Sequence, residues 1–113
     1  MKREEFRKKF DDPEYQLIPK MEQAALNKAV INEDLIRQQS IAMEECCEFA
    51  QAISKFVRNK GNWYDALQEM ADVMIIVEQQ KIALGIDDDA LEKAISIKMD
   101  RIRNGGEKSN YER

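Results

Sequence analysis

Two pairs of acidic residues constrain the fold of this chain more than any other feature. Glu45 and Glu48 are spaced i,i+3, as are Glu69 and Asp72, and both pairs stand in strongly helical patterns. Residues three apart project from roughly one side of a helix. The polar segment 59–62, Asn-Lys-Gly-Asn, lies between the pairs and predicts the turn of a helical hairpin. We therefore expect two antiparallel helices that bring the four carboxylates face to face.

Four carboxylates in one cleft repel one another and are costly to remove from water, so they need a cation in order to coexist. Oxygen ligands favour Mg²⁺, or Mn²⁺ in its place, over Zn²⁺. The chain has no histidine, which excludes an imidazole zinc site and a histidine-based nucleophile relay. We therefore predict a divalent-metal site formed by Glu45, Glu48, Glu69 and Asp72. The alternative is that these acids are solvated or paired with lysines along the helices.

The surroundings of the acids favour the metal site, because both pairs lie against apolar residues on the helical wheel. Glu45 falls within the apolar stripe of the first long helix, and Asp72 is the one charge between Met70 and Val77. Unpaired acids in such places are expensive. The two pairs lie at unequal distances from the centre of the loop and are therefore offset from each other by about one helical turn, which a long carboxylate arm or an asymmetric turn would absorb. The stripes consist of Ala42, Cys46, Phe49, Ile53 and Phe56 on the first helix and of Trp63, Leu67, Met70, Met74 and Val77 on the second.

The order Glu-Glu-x-x-Glu, a spacer, then Glu-x-x-Asp resembles the signature of the MazG-like all-α nucleoside triphosphate pyrophosphohydrolases, over roughly residues 33–104. That family includes dimeric dUTPases, dCTP pyrophosphatases and phosphoribosyl-ATP pyrophosphohydrolase. The resemblance implies Mg²⁺-dependent attack of water on a nucleoside triphosphate, which gives the monophosphate and pyrophosphate. It also implies a house-cleaning role on non-standard or surplus nucleotides. Glu44, or a ligating carboxylate such as Glu45, would accept the proton of the water.

Four further side chains are candidates for contact with the substrate, each with a structural alternative. Lys98 and Arg101 match a basic Lys-x-x-Arg on the last helix of the family, although a lysine in an apolar stripe commonly snorkels to water. Lys55 would contact phosphate or complement the helix dipole. Gln38 would contact the base or form a hydrogen-bonded core amide. Trp63 is interpreted as a core residue, with base stacking as the alternative.

The remaining composition limits the class of protein. With 113 residues the chain forms a single domain, residues 1–113. A net charge of -4 leaves no basic footprint for a nucleic-acid polymer. No apolar run approaches ~20 residues, so we expect no membrane span, and the first residues lack the apolar segment of a signal peptide. The adjacent Cys46 and Cys47 rarely pair, and we expect both to be reduced in a cytoplasmic protein.

The patterning predicts an all-α fold of the four-helix-bundle type, with an N-terminal adapter segment over residues 1–32 and a frayed tail over residues 107–113. Phe6 and Phe10 indicate a short first helix. The predicted boundaries include a segment that starts at Pro19, helices over Glu33–Arg58 with Asn32 as N-cap, over Trp63–Leu84 with Gly85 as C-cap, and from Asp87-Asp88-Asp89 to Arg103.

The two long helices are apolar over more than one face, and one short C-terminal helix cannot bury all of that surface. Met43, Ala50 and Val57 form a second stripe on the first long helix, and Ile75 and Ile76 do so on the second. We therefore predict a homodimer or homotetramer, in which two hairpins complete a four-helix core. A phosphoribosyl-ATP pyrophosphohydrolase is the nearest enzymatic alternative. The non-enzymatic alternative is a helical interaction module with solvated acids and with stripes that bind partner helices.

Overall fold

A computed structural model describes residues 1–17 and 34–105 of the chain. These residues form helices and turns, without strands, so the all-α prediction is confirmed. The segment predicted to start at Pro19 and the predicted frayed tail lie outside the described residues. The described helices are α1 (Arg3–Phe10), α2 (Leu35–Val57), α3 (Trp63–Leu84) and α4 (Asp88–Arg103).

Short polar side chains set the beginnings of α2, α3 and α4. The Asp34 carboxylate caps α2 by accepting a backbone N–H of the first turn at 2.7 Å. The predicted start at Glu33 is therefore wrong by two residues, because Asp34 is the cap; Asn32 itself lies outside the described residues. Asn62 caps α3 at 2.8 Å and Asp87 caps α4 at 2.7 Å in the same way. Capping thus accounts for the first of the three consecutive aspartates.

The turn between α2 and α3 is asymmetric and closely packed. Asn59 takes a left-handed conformation with φ 59°, and the Lys60 N–H donates to the Lys55 carbonyl at 2.8 Å. A Cβ added to Gly61 would lie 2.8 Å from the backbone nitrogen of Phe56. Glycine is therefore required where the chain turns back against the end of α2. The predicted helical hairpin is confirmed, with α2 and α3 as its antiparallel arms.

The face that α3 presents to α2 differs from the predicted apolar stripe. Ile76 is the buried hydrophobic residue of the described chain, at 7% exposure. Met70 and Met74, both in the predicted stripe, are exposed. Cys46 was also placed on a core stripe, but it is exposed like Cys47, and both thiols are free. The hairpin therefore buries a narrow, partly polar seam and leaves most of its large apolar side chains open.

The outer helices pack unequally on this hairpin. α1 packs on the beginning of α3, where the Phe10 ring meets Trp63 and Tyr64 edge-on at centroid distances of 5.7 and 6.0 Å. α4 is tied to the end of α3 by the Lys81 ammonium, which bonds both the Glu78 and the Asp88 carboxylates. Within residues 1–17 and 34–105, no helix is both long enough and apolar enough to cross a membrane.

Candidate metal centre

The structure brings all four predicted ligands together in the seam between α2 and α3. One carboxylate oxygen each from Glu45, Glu48 and Glu69 lie within 4.8 Å of one another. Asp72 is not one of these three, but its carboxyl group is close enough to Glu45 for the two to share a hydrogen bond. Glu48 and Glu69 are related in the same way. We call these four residues the carboxylate cluster.

The equal spacing of the two motifs produces this arrangement. Glu45 and Glu48 are three residues apart on α2, and Glu69 and Asp72 are three apart on α3. Because the helices run antiparallel, the first acid of one pair meets the second acid of the other. Residues 58–62 connect the two arms, and the offset expected from the sequence does not keep the facing acids apart.

Two oxygens of the cluster are buried without a donor. The Oε2 atoms of Glu45 and Glu69 are inaccessible to water, and within the described residues no N–H or O–H group reaches either of them. A buried carboxylate oxygen that lacks a donor costs free energy. A bound cation would remove that cost at both atoms at once.

Burial and mutual repulsion shift the titration of the cluster. Removal from water, with added repulsion from Asp72 and Glu48, raises the pKa of Glu45. Burial, with added repulsion from Glu48 and Asp72, raises the pKa of Glu69. Burial also raises the pKa of Asp72, against the opposing effect of the nearby Met1 amino group. Each shift shows that the folded protein disfavours the ionised form of the cluster when no cation is present.

The donor set fits a hard divalent cation. All of its atoms are carboxylate oxygens, the ligands that Mg²⁺ and Ca²⁺ prefer at ~2.0–2.6 Å. Two oxygens on opposite sides of such an ion are about 4–5 Å apart, which is comparable to the 4.8 Å spread of the three glutamates. A zinc site of thiolate or imidazole ligands does not fit this set.

Three other predicted site residues, Glu44, Gln38 and Lys55, lie on α2. Glu44 is exposed on α2, next to Glu45 in the chain. Gln38 is buried at 4% exposure, two helical turns before Glu45 on the same face of α2. Lys55 is exposed near the end of α2, close enough to act electrostatically on Asp65.

Within the described residues, the basic pair predicted on the last helix, Lys98 and Arg101, is not seen in contact with the cluster. Lys98 is exposed on α4 and Arg101 is half-buried there. The charges that shift the pKa values of Glu45, Glu69 and Asp72 come from neighbouring acids and the Met1 amino group, and not from these two residues. Their assignment to phosphate stays a prediction.

Sequence reasoning did not single out the pair of Arg3 and Asp65, of which Asp65 lies one helical turn before Glu69 on α3. The Arg3 guanidinium donates to Asp65 from Nη2 at 2.6 Å and from Nε at 3.0 Å. This contact lowers the pKa of Asp65. Sixty-two positions separate the two residues, so no local pattern reveals the pair. Phe6 and Phe10 predicted the short first helix itself, but not its position on α3.

The fold and the cluster together define an all-helical protein with a group of acids between the arms of a hairpin. Comparison of the chain with protein-family models, with curated proteins and with solved structures found no match. A functional assignment therefore depends on the chemistry of the site.

Proposed function

We propose that the protein is a divalent-metal-dependent pyrophosphohydrolase that converts a nucleoside triphosphate into the monophosphate and pyrophosphate, as the MazG-like enzymes do. The observation that carries this proposal is the convergence of Glu45, Glu48 and Glu69 to within 4.8 Å. Asp72 completes the donor set through its contact with Glu45. A hairpin selected for stability alone would place apolar side chains at this position, instead of three half-buried acids and the exposed Glu48.

The carboxylate cluster would hold Mg²⁺ or Mn²⁺. A bound ion would neutralise charge on the phosphate oxygens and lower the pKa of the attacking water. The two donorless oxygens of Glu45 and Glu69 support this role, because they are buried and face other acids. The raised pKa values of Glu45 and Glu69 also support it, because a cation would stabilise the ionised form that burial and neighbouring acids disfavour.

Two residues are candidates for the base that accepts the proton of water. Glu45 is one of them, because a ligating carboxylate would lie close to a water bound to the same ion. Glu44 is exposed beside it and is free of the ligand role. Lys98 and Arg101 would stabilise charge on the leaving pyrophosphate if α4 or a partner subunit presents them to the site. Gln38, buried on the face of α2 that carries Glu45, would contact the base.

We further propose that the active form is a homodimer or homotetramer. Large apolar side chains on both arms of the hairpin are substantially exposed in the single chain, and leaving them so forfeits ~1.5–3 kcal/mol each. A second copy would cover them and complete a four-helix core. The residues concerned include Met43 (63%), Phe56 (47%), Val57 (74%), Met70 (46%) and Met74 (57%).

A substrate panel with detection of released pyrophosphate tests the enzymatic proposal. Canonical and modified nucleoside triphosphates and phosphoribosyl-ATP would be incubated with Mg²⁺, with Mn²⁺ and with chelator. We expect pyrophosphate release that requires the metal and is lost in Glu48→Gln. If no substrate in the panel yields pyrophosphate with either metal, the helical interaction module is favoured, because its exposed apolar stripes would then serve only to bind partners.

A further inference from the structure

Arg3 presents an accessible guanidinium that is paired with Asp65, one helical turn before Glu69 on α3. Its Nη2 and Nε atoms bond the Asp65 carboxylate at 2.6 and 3.0 Å. The side chain of Arg3 is nevertheless about half exposed, at 48%. A planar guanidinium held in this way offers its remaining N–H groups to a second anion.

The position of Asp65 places Arg3 near the expected site of phosphate. Asp65, Glu69 and Asp72 are spaced by four and three residues, so they lie on one face of α3. The first two are separated by about 6 Å along the helix axis. The Met1 amino group lowers the pKa of Asp72, and α1 packs on the helix that carries Asp72. Asp65 therefore holds the Arg3 guanidinium one helical turn before Glu69, on the face of α3 that carries acids of the cluster.

Other contacts anchor α1, so the Arg3–Asp65 pair is not its sole attachment. The Tyr64 hydroxyl donates to the Asp11 carboxylate at 3.0 Å, and the Phe10 ring packs against Trp63. A partly exposed ion pair contributes little to stability. The guanidinium can therefore exchange its partner without releasing α1 from the hairpin.

We propose that Arg3 is a phosphate ligand of this site, held by Asp65 in the free protein and transferred to the substrate's terminal phosphates on binding. Guanidinium geometry matches phosphate through two parallel N–H···O bonds. A pyrophosphate group carries more negative charge than the single Asp65 carboxylate, which favours the transfer. This assignment rests on the proposed function, and it gives the site a cation from α1 in addition to the predicted Lys98 and Arg101.

The test compares removal of Arg3 with removal of its partner. Binding of Mg²⁺–pyrophosphate would be measured by titration calorimetry on the full chain and on the variants Arg3→Gln, Asp65→Asn and Arg7→Gln. Arg7 is the matched control, because it lies on α1 and contacts Tyr64 and Asp11 instead of Asp65. We expect Arg3→Gln to weaken binding by about tenfold or more, as loss of a charge-assisted contact does, and Arg7→Gln to bind as the unaltered protein does.

Asp65→Asn separates a ligand from a structural clamp. If Arg3 binds phosphate, release from Asp65 leaves the affinity unchanged or increases it. If the pair only holds α1 in place, Asp65→Asn weakens binding as much as Arg3→Gln does, and that result would overturn the proposal. Unchanged binding in Arg3→Gln, or no binding by the unaltered protein, would overturn it as well.

Hydrolysis is measured separately, so the two proposals can fail independently. Metal-dependent pyrophosphate release together with normal binding by Arg3→Gln would contradict the role of Arg3 and support the enzymatic function. Arg3-dependent binding without hydrolysis of any substrate would support the phosphate site and contradict the enzymatic function.

Discussion

Glu45 of α2 and Asp72 of α3 lie close enough across the hairpin for their carboxyl groups to share a hydrogen bond. Such a bond requires a proton on one of the two acids, and at neutral pH a cation is the other way to hold them together. Glu48 and Glu69 repeat this relationship one turn closer to the hairpin loop. The seam between α2 and α3 is therefore arranged to bind either protons or a metal ion.

Neutral replacement of a ligand should abolish turnover without loss of metal-free stability. We expect Glu48→Gln and Asp72→Asn to reduce pyrophosphate release by about 100-fold or more, the scale on which electrostatic catalytic groups act. Melting without metal should be unchanged or improved, because a repelling charge is removed from the cluster. Steady-state kinetics and circular-dichroism melting measure the two effects.

Glu92→Gln is the matched control for these variants, since Glu92 is an exposed acid on α4. It should retain full activity. Retained activity in both ligand variants would end the metal-site hypothesis. Glu44→Gln addresses the base: loss of turnover with metal binding intact would assign the proton transfer to Glu44, and full activity would leave it to Glu45.

The metal-free protein should become more stable as the pH is lowered from alkaline values through the raised pKa values of the cluster. Burial raises the pKa values of Glu45, Glu69 and Asp72 above their unfolded values, so the folded state takes up protons first. The free energy of unfolding then increases as the pH falls through the raised pKa values toward the ordinary carboxyl value of about 4. Asp65 acts oppositely, because its lowered pKa gives stabilisation that is lost only at more acidic pH.

Melting temperatures measured in chelator across these pH values test the prediction. Millimolar Mg²⁺ should raise the melting temperature most at the alkaline end, because the ion competes with protons for the same oxygens. A metal-free melting temperature that is flat, or that falls as the pH is lowered through the raised pKa values, would contradict the shifts described for the cluster.

The sequence was sufficient to predict the hairpin and its facing acids, because both follow from local rules. The i,i+3 spacing places each pair on one side of its helix, and the polar turn around Gly61 makes the arms antiparallel. The face of α3 that packs inward was not predictable from apolar periodicity, since Ile76 is buried and Met74 is exposed. A stripe shows that a surface needs covering, but it does not identify the surface that covers it.

The contact between Arg3 and Asp65 could not be predicted for a different reason. It joins distant parts of the chain through side chains that are also common on solvated surfaces, so neither residue carries a signal in isolation. The docking of α1 depends on Phe10 meeting Trp63 and Tyr64. Aromatic residues in the sequence indicate that such packing occurs, but not which pairs form.

Gly61→Ala should destabilise the hairpin. The added Cβ would lie 2.8 Å from the Phe56 backbone nitrogen and 3.0 Å from the Lys55 carbonyl carbon. Backbone atoms have little room to yield, so we expect a loss of about 1–3 kcal/mol in the free energy of unfolding, as for other overpacked sites. Urea denaturation measures this change.

Gly85→Ala is the comparison for that variant. Gly85 has φ 68° with no neighbour within 4 Å of an added Cβ, so its cost is conformational, about 1–2 kcal/mol. Because Gly61 lies in the turn that aligns the acids, Gly61→Ala should also weaken metal binding, whereas Gly85→Ala should leave it unchanged. Equal metal affinity in both variants would mean that the turn does not control the alignment of the cluster.

The exposed apolar side chains should make the chain self-associate. Sedimentation at micromolar concentration should give a species larger than the 13.2 kDa chain. Met74→Glu should shift it toward the monomer, because Met74 is 57% exposed in the single chain and a charge there would be buried in the assembly. Gln51→Glu, at an exposed polar position on α2, is the control and should remain assembled.

Ile76→Glu does not test the interface, although the apolar pattern of the sequence predicts Ile76 in a second stripe of α3. The residue is buried within the hairpin, so a charge there should unfold the chain itself. Ile75 is exposed at 40%, and Ile75→Glu should behave as Met74→Glu does. A clean monomer for the unaltered protein would contradict the assembly.

Direct titration of Mn²⁺ into the metal-free protein near pH 7.5, followed by calorimetry, tests the central claim. The account predicts saturable binding to the unaltered protein and to Glu92→Gln, and binding weakened by tenfold or more in Glu48→Gln and Glu69→Gln, since each removes a ligand charge. Absence of saturable binding to the unaltered protein, or equal affinity in all four proteins, would show that the carboxylate cluster does not hold a divalent cation.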